Sequence, residues 1–202
     1  FTALGYLTQD VETGKFRLGV SIMSLSRAFR EGLDITRIAG PFMSEIANTA
    51  GELVYLTIPR EDSVVYLEGV SPDNQRMVSK SVAGEFCKMY CTSVGKAMLA
   101  NMPKEEVEKC ISGKLEAYTE NTITDKKSLL EEIEKTRIRG YGIDDMEIMF
   151  GIKCVGVALL NHDGKVEGGL SISAPSLRMS DEKIELYAKI LKEYAAKIQK
   201  ML

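Results

Sequence analysis

The sequence predicts an α+β domain in which helices flank an antiparallel sheet. Three observations predict it. The chain runs helices, strands, helices, strands, helix; its strands are joined by turns too short for crossover connections; and Asp163 with Gly164 gives a strong hairpin signal between two β-rich runs. At 202 residues, 45% hydrophobic and 27% charged, the chain can build one ordinary core with a small appendage.

The first element is a small hairpin. Tyr6 and Leu7 precede DVETGK, Phe16 and Leu18 come after it, and Gly14 is free to take a positive φ in the turn. It has too few apolar residues for a core, so it belongs to a domain lying upstream or packs on the rest of the chain. The chain opens on Phe1 rather than Met, and the expectation is a missing upstream part. From 20 to 29 the positions Ile22, Leu25, Ala28 and Phe29 keep helical spacing, with Gly32 as a stop; this helix reads as a connector. A second helix, about 35–50, carries a stripe of Ile38, Phe42, Ile46 and Ala50 and ends at Gly51. Pro41 predicts a kink there or a late start.

Three short β-branched or aromatic runs come next, LVYLTI, SVVYLEGV and QRMVSKSV, separated by PRED and SPDN, which predicts a three-stranded meander. TSVGKAMLANM and PKEEVEKCI read as helices, the second with Pro103 near its first turn and acidic residues just after it. After the polar loop SGKLEAYTENTIT, the segment 125–139 places Leu129, Leu130 and Ile133 on one helical face and stops at Gly140. YGID and KCVGVALL return to strand, NHDG turns, and KVEGGLSISA pairs back. A last helix begins at Ser180, an N-cap, and carries Ile184, Tyr187, Ala188, Leu191, Ala195, Ile198 and Leu202.

Composition excludes several function classes. A net charge of −3 offers no concentrated positive field to a phosphate backbone, so this piece by itself should bind DNA poorly. No apolar run is long enough to span a bilayer and no signal pattern opens the chain, so a soluble protein with no membrane partner is expected. Four scattered cysteines beside ten methionines lack the spacing of a disulfide framework, which points to a reducing cytoplasm.

The most informative local geometry lies in the last hairpin. Ser171 and Ser173, two apart on a strand, share a face, while Leu170 and Ile172 face the opposite, apolar layer. If Asp163 and Gly164 alone form the turn, Cys154 pairs with Ser173; if 161–164 form the loop, it pairs with Ser171. Either way three small polar groups share one face and leave room for a ligand, unless a bulge intervenes. The plainer alternative is that they line a solvated face or a tight contact, and spacing alone does not favour the ligand reading over it.

Thr92 or Ser93 can cap the helix of TSVGKAMLA, whose start is a possible anion site; equally, many such starts bind nothing. Lys96 does not complete a phosphate-binding loop, because the glycine spacing is wrong. Asp144 and Asp145 are adjacent and should point to different sides of an extended segment, one as a ligand acceptor or both as a solvated acidic turn. A cysteine nucleophile needs a base, and the single histidine, His162, sits in a turn far along the hairpin from Cys154. Cys87, Cys91 and Cys154 form at most a weak zinc pattern, and isolated cysteines are usually small buried apolar groups.

In order along the chain, GKFRLG, TSVGKAMLA, TENTIT, RIRGYGIDDMEIMFGIKCVGVAL and SISAP resemble the IclR family of bacterial transcription regulators, over nearly the whole chain. The resemblance implies a GAF-like or profilin-like antiparallel sheet flanked by helices, preceded by a linker helix and the wing of a winged helix-turn-helix. Residues 1–18 would be the wing remnant, 19–33 the linker helix and 34–202 the effector-binding domain. It further implies no catalysis and no cofactor, but a small organic acid held by Ser93, Val94, Asp144, Ile152, Cys154, Ser171 and Ser173. Partners implied are operator DNA, through the missing N-terminal domain, and further copies in a homodimer or homotetramer. Two departures bear on the effector: Tyr90 stands where the family often has His, and Cys91 where Ala is common. Two other classes compete: a small-molecule enzyme using Cys154 with Asp144, and a GAF-like sensor acting through a protein partner or zinc.

Overall fold

The computed structural model describes residues 1–73 and 82–202. Strands β1 (Leu7–Gln9) and β2 (Phe16–Leu18) pair antiparallel as a separate two-stranded sheet, Leu7 opposite Leu18. Gly14 takes φ +67° in their turn, and the Asp10 carboxylate accepts from Thr13 N and Oγ1 at 2.9 Å each. Helix α1 (Ser21–Glu31) comes next and buries none of its residues; Leu25 and Phe29 of the expected stripe are exposed.

Helix α2 (Asp34–Ala50) runs through Pro41, so the late start is not what forms. Gly51 closes it in the left-handed region at φ +71°, its N–H bonded to Ala47 O. The buried stripe is Ile35, Ala39, Met43, Ile46, Ala47 and Ala50. Ile38 and Phe42, expected on that stripe, lie on its flank, where Phe42 meets Tyr194 edge-on at 5.9 Å. Small Ala39 and flexible Met43 suit a close approach to a sheet that bulkier side chains would hold off.

The main sheet has the order β5-β4-β3-β8-β7-β6 with antiparallel pairing throughout. Its strands are β3 (Leu53–Arg60), β4 (Ser63–Val70), β5 (Phe86–Lys88), β6 (Gly142–Asp145), β7 (Ile152–Leu160) and β8 (Val166–Pro175). Of the third expected strand, 75–82, residues 75–81 lie outside the described residues. The partner seen on β4 is β5, which sequence patterning does not predict.

On one face Val54, Leu56, Val155, Val157, Leu159, Leu170 and Ile172 pack against α2 and the last helix, α6 (Asp181–Gln199), in a single core. The Ser180 hydroxyl caps α6 by accepting from Lys183 N. Burying this many Val, Leu and Ile side chains, at about 1.5–3 kcal/mol each, is the main driving force for the layer. The other face carries α3 (Ser93–Leu99), α4 (Lys104–Cys110) and α5 (Lys126–Arg139) over a second core that includes Met98, Leu99, Val107, Leu129 and Ile133. On α5 the inward face is Leu129, Ile133 and Thr136; Leu130, expected beside them, is 42% exposed, because it is one position round the helix from Leu129. Among the described residues no helix is long and apolar enough to cross a membrane.

Helix α3 lies flush on the sheet because three strands carry glycine beneath it. A Cβ at Gly142 would stand 2.1 Å from Ser93 O, one at Gly156 2.5 Å from Val94 N, and one at Gly169 2.3 Å from Val94 Cγ2. The face of β6, β7 and β8 that supports α3 therefore continues, beyond the helix, into the candidate site.

Candidate functional site

The site begins with the register of the β7–β8 hairpin. Its loop, 161–165, is longer than a two-residue turn, and the Asn161 side-chain oxygen accepts from Asp163 N and Lys165 N. Leu159 pairs with Gly168 but Leu160 with Val166, so Glu167 is bulged. That one extra residue restores the pairing a bare Asp-Gly turn would give, with Cys154 opposite Ser173 and Gly156 opposite Ser171. The Cys154 thiol donates to Ser173 Oγ at 3.3 Å. Asp144 of β6 pairs with Cys154, and Leu53 and Tyr55 of β3 pair with Ser173 and Ser171. Leu170 and Ile172 turn to the opposite core, as the alternation requires.

On this face the structure opens a cleft of about 730 Å³. Tyr55 and Tyr66, in T-shaped contact at 5.1 Å, border it together with Cys87, Ile148, Met149 and the Glu52–Arg178 pair. Of the seven residues implied by resemblance, Asp144, Ile152, Cys154 and Ser173 border the cleft. Ser171 is buried beside Ser173, and Ser93 and Val94 are buried in the first turn of α3 against Gly142 and Gly156; these three do not border it. Thr92, not Ser93, caps α3, accepting from Gly95 N at 3.1 Å. Tyr90 and Cys91 lie in the second core and do not border the cleft, the Tyr90 hydroxyl donating to Glu116 O at 2.7 Å.

The electrostatics are set by burial. Asp144 is buried and accepts from Glu147 N at 2.7 Å, whereas its neighbour Asp145 is exposed and pairs with Lys153 at 2.8 Å, so the two do point apart. Burial, with the nearby Glu147 carboxylate, pushes the Asp144 carboxyl up to about 7 against the pull of a backbone N–H and of Lys96. Behind it Lys96 and Glu147 form a buried ion pair. Glu52 is buried and takes Arg178 Nε and Nη2 at 2.7 and 2.6 Å, tying the start of β3 to the segment after β8.

Burial also raises the Cys154 and Cys87 thiols, so both are neutral near pH 7. His162 is exposed in the hairpin turn and does not border the cleft. Cys154 thus has neither a thiolate nor a histidine base. Cys87 and Cys154 both border the cleft, while Cys91 is buried in the second core and does not. Among the described residues no group of three or more His, Cys, Asp or Glu stands where it could hold a metal ion.

Sequence reasoning missed Tyr66, Glu52, Arg178 and the Lys96–Glu147 pair, and weighed Cys87 only as a weak zinc ligand beside Cys154. Glu52 and Arg178 are 126 positions apart, so no local pattern joins them. Glu147 did carry a signal: an acidic side chain three residues beyond Asp144 in a segment already singled out.

An antiparallel sheet with helices on both faces and a largely apolar cleft of small-molecule size has the build of a ligand-binding module. Comparison with known proteins says which kind. Residues 28–200 match the family described as "Bacterial transcriptional regulator IclR C-terminal". The chain belongs to the IclR family of bacterial transcription regulators and is its C-terminal, effector-sensing part. It is 34% identical over 197 residues to the HTH-type transcriptional regulator KdgR of Escherichia coli K12, covering 96% of this chain and 74% of that protein. Identity to the HTH-type transcriptional repressor AllR of the same strain is 26% over 201 residues, covering 99% and 74%. Against KdgR of Dickeya chrysanthemi, 32% identical, it covers 97% of this chain and 64% of the relative. The structure is similar to that of Thermotoga maritima IclR, with a TM-score of 0.85 at 31% identity over 98% of this chain and 80% of that one. It is also similar to the C-terminal domain of E. coli KdgR, with a TM-score of 0.74 at 32% identity, covering 83% and 98%. These relatives are transcriptional regulators, not enzymes.

Proposed function

We propose that the chain binds a small organic acid in the cleft bordered by Asp144, Ile152, Cys154 and Ser173, and that binding controls an N-terminal winged helix-turn-helix. In this reading residues 1–18 are the wing, 19–33 the linker helix and 34–202 the effector domain. Ser171, Ser93 and Val94 support the site from behind, and the whole regulator is a cytoplasmic homodimer or homotetramer acting on operator DNA. The observation that carries it is the cleft itself, of small-molecule size and largely apolar, with the Cys154–Ser173 pair and Asp144 placed together on one side. An effector moves such a protein only by binding its two arrangements unequally, with a coupling of about 1–3 kcal/mol being typical.

Thermal melting with a panel of small carboxylic acids tests this. A true effector at a hundredfold excess over its Kd stabilises the folded chain by about 2.7 kcal/mol. Ser173→Ala should lose most of that shift while leaving the ligand-free melting point in place. A panel without any shift, or a shift indifferent to Ser173→Ala, would move the site elsewhere.

A further inference from the structure

We infer that Asp144 meets the effector's carboxylate as a protonated acid, and that Lys96 and Glu147, which do not border the cleft, hold it in that state. The inference rests on the acid-binding reading above and gives that site a mechanism for selecting anions. Three groups are buried together: Asp144 at 4% exposure, Glu147 at 3% and Lys96 at 1%. They comprise two carboxyls and one ammonium. The ammonium is spent on Glu147 Oε1, and Glu147 Oε2 has no hydrogen-bond partner. Asp144 receives a backbone N–H from Glu147 but no contact from the cation.

Among the described residues, Arg178 on the cleft's border is tied to Glu52, and the other titratable groups whose charge bears on Asp144 bring no positive charge. They are Cys154 on β7, Tyr66 on β4, Cys87 on β5 and Cys91 in the turn before α3, each held neutral by burial. A second uncompensated anion in so dry a cluster is costly, and a proton on Asp144 removes it. An ionised Asp144 would repel an incoming carboxylate; a neutral one donates its O–H to it. The effector anion and one proton are therefore held together. Glu147 acts as a positioning residue: it occupies the lysine, and so leaves Asp144 without a counter-ion.

Calorimetric titration of the chain with 2-oxobutyrate, gluconate and benzoate, from about pH 6 to about pH 9, tests this. Such acids stay ionised throughout, so affinity should be level below about pH 7 and fall about tenfold per unit above it. Repeating the titration in buffers of different ionisation enthalpy should show proton uptake that grows over the same range. Benzamide and gluconamide, which are neutral, should show no such fall. Asp144→Asn should bind the acids without the pH slope, and Glu147→Gln, which leaves Lys96 to ionise Asp144, should move the break to lower pH. If Glu147→Gln does not fold, the slope of the parent against Asp144→Asn decides. An acid that Ser173→Ala weakens but whose affinity is level across the range overturns this inference and leaves the cleft reading standing. Failure of every acid to bind removes both.

Discussion

A methyl group on Gly156 would stand 2.5 Å from Val94 N and 2.7 Å from Val94 Cα. Neither atom can yield unless the first turn of α3 moves, so Gly156→Ala is expected to cost about 1–3 kcal/mol, the usual range for overpacking a filled interior. Urea denaturation reads this directly, and an unchanged midpoint would show that α3 lifts at no cost. Asp144 makes the opposite kind of prediction, one of pH. Its carboxyl titrates near 3.8 when exposed and near 7 when folded. Between those values the folded chain holds a proton that the unfolded chain has lost. The group's stabilising contribution is thus complete below about pH 4 and disappears as pH rises through about 7. Asp144→Asn cannot ionise, so it should melt above the parent near pH 8.5 and lose that advantage progressively as pH falls from about 7 to about 4. A parent whose melting point does not fall relative to the variant over this range would place the Asp144 carboxyl in the ordinary range.

At the scale of elements, local pattern carried most of the fold. Periodicity located α2, α5 and α6, and the Ser180 cap and the Gly51 and Gly140 stops sit where the sequence puts them. It did not settle which way a helix faces. On α2, Ala39 and Met43 are more buried than Ile38 and Phe42, because the distance of closest approach to the sheet, not hydrophobicity alone, ranks the positions. The short edge strand β5 escaped for a related reason: three residues are too few for an alternating pattern. Within α3, the Thr92 cap is expected to be worth about 1 kcal/mol, so Thr92→Ala should lower the denaturation midpoint accordingly. Leu129→Ala, which empties a fully buried position beneath α5, should cost more, about 2–5 kcal/mol. Equal losses for the two would mean that the second core closes over the cavity.

For the whole molecule, charge makes the prediction. With a net charge of −3, the chain should bind random duplex DNA more weakly than about 100 μM at physiological salt, the weak end of non-specific binding. Fluorescence anisotropy with a labelled duplex checks it, and tight binding would relocate the DNA-contacting surface into these residues. Half of the candidate site was legible in the hairpin, because two positions of one strand and their partner on the next share a face by geometry alone. The other half, Tyr66, Glu52, Arg178 and Lys96, is assembled by the sheet's curl from segments far apart in the chain. The same hairpin has an evolutionary side. If the bulge closed, with Glu167 paired to Leu159 and the loop kept, Ile172 and not Ser173 would stand across from Cys154, and Ser173 would turn toward the core. Point changes in the lineage can therefore retune the cleft gradually. A gain or loss of a single codon between Gly168 and Ser173 exchanges binding surface for core in one step, whereas loss of the bulged Glu167 leaves the pairing intact, so length beyond the bulge should drift far less than sequence does.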